Sequence, residues 1–179
     1  FTNATKGGTN HRWYYREKGT TSPIFDERNL VSGTTQEFVF TNTTTKNPIV
    51  YEMVYEVKNA NCSDFATYDV TVYRDVVALF NEGVVPRFIG GSSTVTFSNT
   101  SSPVDGSDFE YQWEFGIGAT PATLNTAALT SPVQYSSAGQ KTITLTAVNI
   151  DARTAGVAAG CSSTITKTID ILLLPLKAD

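Results

Sequence analysis

Hydrophobic and polar positions alternate along most of this chain, in short runs broken by Gly, Pro, Asn and Ser. The clearest run covers residues 50–59. Tyr51, Met53, Tyr55 and Val57 share one face, and Val50, Glu52, Val54, Glu56 and Lys58 share the other. Residues 142–148 repeat the pattern, with Ile143, Leu145 and Ala147 facing in and Thr142, Thr144 and Thr146 facing out. A period of two is the signature of a strand with one wet face, and a branched, hydroxylated Thr suits that face. Further strands are predicted at residues 11–15, 68–73, 76–80, 110–115 and 165–173. Residues 119–129 contain Pro121, several Thr and no stripe at helical spacing, which predicts a loop or short turn. The chain is expected to be all-β.

Two halves of the sequence echo each other. Phe1-Thr2-Asn3-Ala4-Thr5 returns as Phe97-Ser98-Asn99-Thr100-Ser101. Each is followed by a Trp strand, around Trp13 and Trp113, then by a long alternating strand closing on Asn59 or Asn149. A single Cys comes next, Cys62 or Cys161, and then a last strand. Trp and Cys are 49 residues apart in the first half and 48 in the second. Landmarks in one order at near-equal spacing mark a tandem repeat of one domain type, with boundaries expected at residues 1–75 and 76–179. The linker, Arg74-Asp75, is short, which predicts end-to-end domains with little freedom, as in a stalk. The first half opens at what corresponds to the second strand of the other half. An unfilled strand position leaves backbone groups ready for β-augmentation.

In the second half, Tyr111-Gln112-Trp113-Glu114-Phe115-Gly116-Ile117-Gly118 is followed by Pro132-Val133-Gln134-Tyr135, and then by Gly139 and the run ending Thr146-Ala147-Val148-Asn149. This series resembles the PKD (polycystic kidney disease-type) domain, an immunoglobulin-like β-sandwich, over residues 76–179. The resemblance implies two tandem sandwiches with Trp13, Trp113, Tyr111, Phe115 and Tyr135 in their cores. It departs from the family at Glu114 and Ile117, which stand where the family carries aspartates. The first half lacks the Phe-Gly-x-Gly element and has Arg16-Glu17-Lys18-Gly19 there instead; the repeat extends the resemblance to it.

Composition narrows the function. The net charge is −4, so the basic footprint of a nucleic-acid binder is absent. No run reaches ~18 apolar residues, and direct membrane insertion is not expected. His11 is the only histidine. A Ser-His-Asp or Cys-His arrangement would have to use it, with no nucleophile motif nearby, and His/Cys metal sites lack ligands. No catalytic residue and no cofactor are expected. A loop calcium site from Asp105 and Asp108 is the one metal candidate, because calcium accepts oxygens in irregular geometry. Cys62 and Cys161 occupy equivalent places in separate domains, too far apart for a disulfide, and are read as free or semi-buried thiols, or as bridges to neighbouring chains or to other parts of a longer protein.

The first half is rich in tyrosine, and Tyr14, Tyr15 and Tyr51 are candidate contacts for a glycan or a protein. Asn-x-Ser/Thr sequons stand at Asn3, Asn42, Asn61 and Asn99. The resemblance further implies a non-catalytic, extracellular cell-surface module, similar to the arrays on large adhesin-type proteins of gliding and other Bacteroidota. Its partners would be neighbouring domains of one long chain, other surface proteins, or glycan. Two other readings are an accessory module of a secreted hydrolase, binding polysaccharide or protein, and a fibre subunit assembled by strand addition. The chain is expected to be a piece of something longer.

Overall fold

The computed structural model describes residues 8–30, 35–44, 47–83, 93–103, 108–156 and 161–172. The chain divides into two compact units, Phe1–Arg74 and Asp75–Asp179. Both are built from antiparallel strands, as the alternation predicts.

The first unit holds β1 (Asn10–Glu17), β2 (Phe25–Leu30), β3 (Ile49–Lys58) and β4 (Ser63–Val72). They form one sheet in the order β2-β1-β3-β4. Trp13 pairs with Tyr55, and Tyr55 with Ala66, so the tyrosine-bearing face of β3 is the face that carries Trp13. Trp13, Ile49, Tyr51 and Met53 are buried there. Phe38 and Phe40, from the segment at 35–44, pack on the same side. The Phe40 ring lies 4.6 Å from that of Tyr15, and Phe38 lies 6.4 Å from Trp13.

The second unit contains β5 (Phe80–Glu82), β6 (Ser93–Val95), β7 (Phe97–Asn99), β8 (Phe109–Glu114), β9 (Ala119–Thr120), β10 (Thr123–Asn125), β11 (Val133–Tyr135), β12 (Gly139–Asn149) and β13 (Ser162–Ile171), with a five-residue helix α1 (Ile150–Thr154). One sheet runs β10-β8-β12-β13; the opposing layer is β6-β11-β9 with β5-β7. Between them lies a continuous core that includes Phe80, Phe97, Tyr111, Trp113, Phe115, Tyr135, Ile143 and Leu145. Trp113 is its centre, with Phe80 edge-on at 5.3 Å and Phe115 stacked at 5.6 Å.

The two four-stranded sheets correspond position by position. Trp113 pairs with Leu145, and Leu145 with Ile165, repeating the Trp13–Tyr55–Ala66 row. The cysteines also match: Asn59 N–H donates to the Cys62 carbonyl at 2.9 Å, and Asn149 N–H to that of Cys161 at 2.8 Å.

Two local readings need correction. Residues 119–129 are not merely a loop or turn, because they supply β9 and β10. Gly116 and Gly118, at φ +80° and +78°, fold the chain back so that Ala119 reaches β11 and Thr123 reaches β8. After Asn149 the chain enters α1, for which Asn149 is the N-cap. Its side-chain oxygen accepts from Ala152 N–H at 3.1 Å. In residues 76–80, Val76, Ala78 and Phe80 are buried; Val77 makes an isolated antiparallel bridge to Ser102, and the continuous strand begins at Phe80. The echo at Phe1, residues 84–92 and the tail beyond Leu172 lie outside the described residues.

Candidate functional site

The core positions come first. Trp113, Tyr111, Phe115 and Tyr135 are fully buried, and Trp13 is buried in its own unit. The polar tips in the second unit have partners. Trp113 Nε1–H donates to the Thr126 carbonyl at 3.0 Å, Tyr111 to the Pro103 carbonyl at 2.6 Å, and Tyr135 to the Phe115 carbonyl at 3.0 Å. Burial pushes the Tyr135 phenol up to about 12, so it remains a neutral donor at physiological pH.

His11 is likewise absorbed by packing. Its Nε2 lies 3.2 Å from the Gly8 carbonyl, which can only accept, so the proton sits on Nε2. Nδ1 and the Tyr55 hydroxyl share a hydrogen bond at 2.5 Å. Cys62 and Cys161 are free thiols, the first exposed and the second half-buried. Burial, followed by the nearby Asp75 carboxylate, pushes the Cys161 thiol up, away from the reactive thiolate. Among the described residues no group of three His, Cys, Asp or Glu side chains is placed to hold a metal ion. Asp105 of the suggested calcium pair lies outside the described residues; the Asp108 carbonyl accepts from Ile150 N–H at 2.9 Å.

The candidate tyrosines separate. Tyr15 and Tyr51 turn to the inner face, their rings 5.4 Å apart, and donate to the Val39 and Thr41 carbonyls at 3.2 and 2.8 Å. Tyr14 turns to the outer face of the sheet, where β1, β3 and β4 together line a shallow cleft of about 240 Å³. Val54 forms its floor, flanked in register by Tyr14 and Thr67. Phe65 stands beside it, diagonal to Tyr14 across β3 and 71% exposed.

Arg16, Glu52 and Glu56 line this cleft, and Arg12 and Lys58 pair with Glu56 beside it. The Arg16 guanidinium donates to Glu52 at 2.7 and 2.9 Å. Arg12 forks onto both oxygens of Glu27 at 2.8 and 2.9 Å, reaches Glu56 at 3.5 Å, and lies 4.6 Å over the Tyr14 ring. Lys58 bonds Glu56 at 3.0 Å. Glu56 is held below the usual carboxylate range, chiefly by its bond to Lys58 and then by Arg12; Arg12 does the same to Glu27. The cleft therefore presents fixed donors and acceptors with its charges paired. Apart from Tyr14, none of its residues stands out in the sequence. A Phe on the polar side of an alternating strand is the signal that could have found it, and only the register of three strands gathers the rest.

An all-β sandwich with a Trp-centred core and no metal cluster among the described residues is the class this architecture defines. Within it, residues 81–157, all in the second unit, match the family model of the PKD domain. Domains of this family are typically non-catalytic, extracellular modules. No curated protein matches the chain. Among solved structures the chain is similar to the amphioxus IgVJ-C2 molecule, at 14% identity and a TM-score of 0.44, over 96% of this chain and 94% of that one.

Proposed function

We propose that the chain is a spacer and adhesive segment of a large cell-surface protein, with its first unit a divergent copy of the PKD domain in the second. The observation that carries this reading is the PKD match over residues 81–157. The matching Trp13 and Trp113 rows of the two sheets support the tandem arrangement. The module works by holding shape. Ten-residue antiparallel ladders join β3 to β4 and β12 to β13, and Trp13, Tyr51, Tyr111, Trp113, Phe115 and Tyr135 are committed to the cores. What remains for contact is surface, and neighbouring domains, other surface proteins or glycan are its partners.

The test is to digest intact cells of the source organism with a protease and follow this sequence by mass spectrometry. The expected result is loss of its peptides from an externally exposed polypeptide far longer than 179 residues. Peptides protected until the cells are lysed would contradict the proposal.

A further inference from the structure

The geometry points to a binding site for a neutral glycan chain on the outer face of the first unit, centred on Tyr14 and Phe65. This deepens the adhesive reading and rests on it for the supply of ligand, although the site itself is argued from the first unit alone.

The second unit provides an internal control. Through the matched registers, the positions of Tyr14, Val54, Phe65 and Thr67 correspond to Glu114, Thr144, Thr164 and Thr166. There the outer face is closed by hydroxyl pairs, Thr144 with Thr166 at 3.2 Å and Thr146 with Thr164 at 3.1 Å. That is the ordinary solvent face of a sheet. In the first unit the same positions carry two aromatic rings over a branched aliphatic floor. Val54 is only 3% exposed although it points away from the core, so the side chains lining the cleft shield it. A Phe held 71% exposed on a strand forgoes the burial that normally stabilises it. Neither the sheet's hydrogen bonding nor its packing calls for that residue.

The chemistry of the rim selects the ligand class. Arg12, Arg16 and Lys58 are matched by Glu27, Glu52 and Glu56, so these pairs leave no net charge to attract an ion. The same pairs immobilise planar guanidinium and carboxylate edges, which can bond neighbouring hydroxyl groups in two places at once. Aromatic faces beside them suit the apolar C–H face of a sugar ring, and ordered polar groups beside an apolar wall are the usual make-up of a small-ligand site. A neutral polyhydroxylated chain uses both features. A charged ligand would have to break the ion pairs.

The experiment uses the full 179-residue chain, isotopically labelled, titrated with neutral hexaoses of the cello-, xylo-, manno- and chito- series and followed by amide resonances. Binding of at least one series is expected, with shifts confined to the cleft, at Tyr14, Val54 and Phe65. Phe65→Thr, which installs the residue the second unit carries there, should weaken that binding about tenfold or more. Thr164→Ala in the second unit should leave it unchanged. Because Phe65 is exposed, Phe65→Thr should also retain the wild-type spectrum elsewhere, which separates lost binding from lost folding. Overturning results are no shift with any of the four series, shifts located in the second unit, or equal affinity of wild type and Phe65→Thr. Such a failure leaves the surface-location test of the spacer reading untouched.

Discussion

Tyr135 shows how much one buried side chain can fix. Its ring sits in the core of the second unit and its hydroxyl satisfies the Phe115 carbonyl. Removing that hydroxyl in Tyr135→Phe leaves a buried acceptor unpaired and should cost about 1–3 kcal/mol in urea unfolding. The phenol also links stability to pH. Its folded value, about 12, lies above the ordinary value of 10.0, so the folded state holds the proton more tightly. The stabilisation is complete below about pH 10 and is lost as pH rises from there to about 12. The difference in stability between wild type and Tyr135→Phe should therefore shrink across that window. A constant difference would show that the phenol titrates normally.

The elements depend on a few backbone positions. Gly116 ends the strand that bears Trp113, at φ +80°, and a Cβ there would lie 2.7 Å from the Thr142 carbonyl oxygen of β12. Gly139, at φ +101°, opens β12 with nothing within 4 Å of its missing Cβ. Gly116→Ala should thus cost more than Gly139→Ala, about 2–4 kcal/mol against roughly 1, because only the first adds a clash with backbone to the strain of positive φ. Equal losses in thermal unfolding would remove the packing part of that argument.

Most of this level was legible in the chain. Alternation at 50–59 and 142–148 placed β3 and β12 to within a few residues, because a half-buried strand must sort its side chains by face. Strands β9 and β10 were hidden, since two- and three-residue pairings form only where the Gly116 and Gly118 turns deliver them. The helix after Asn149 was hidden for a related reason: the strand pattern runs straight into its cap. The candidate site was the least legible. Tyr14 and Tyr15 are adjacent in sequence and lie on opposite faces, and Phe65 joins Tyr14 only through β3 between them.

At the scale of the whole molecule, the sequence repeat becomes two compact units with separate buried sets, one around Trp13 and one around Trp113. Their four-stranded sheets share strand pairing, the Trp row and the Asn–Cys backbone bond, while their outer faces differ. A shared scaffold with differing outer faces suits the spacing and binding role proposed above. The most direct measurement is differential scanning calorimetry of the full chain beside its Trp13→Ala and Trp113→Ala variants. Each substitution empties the centre of one core and should cost about 3–5 kcal/mol, enough to move a domain of this size down by roughly 15 °C or more. Two transitions are predicted, with Trp113→Ala lowering one and Trp13→Ala the other. A single transition that both variants lower together would contradict the account, because the chain would then be one cooperative body rather than two separately packed modules.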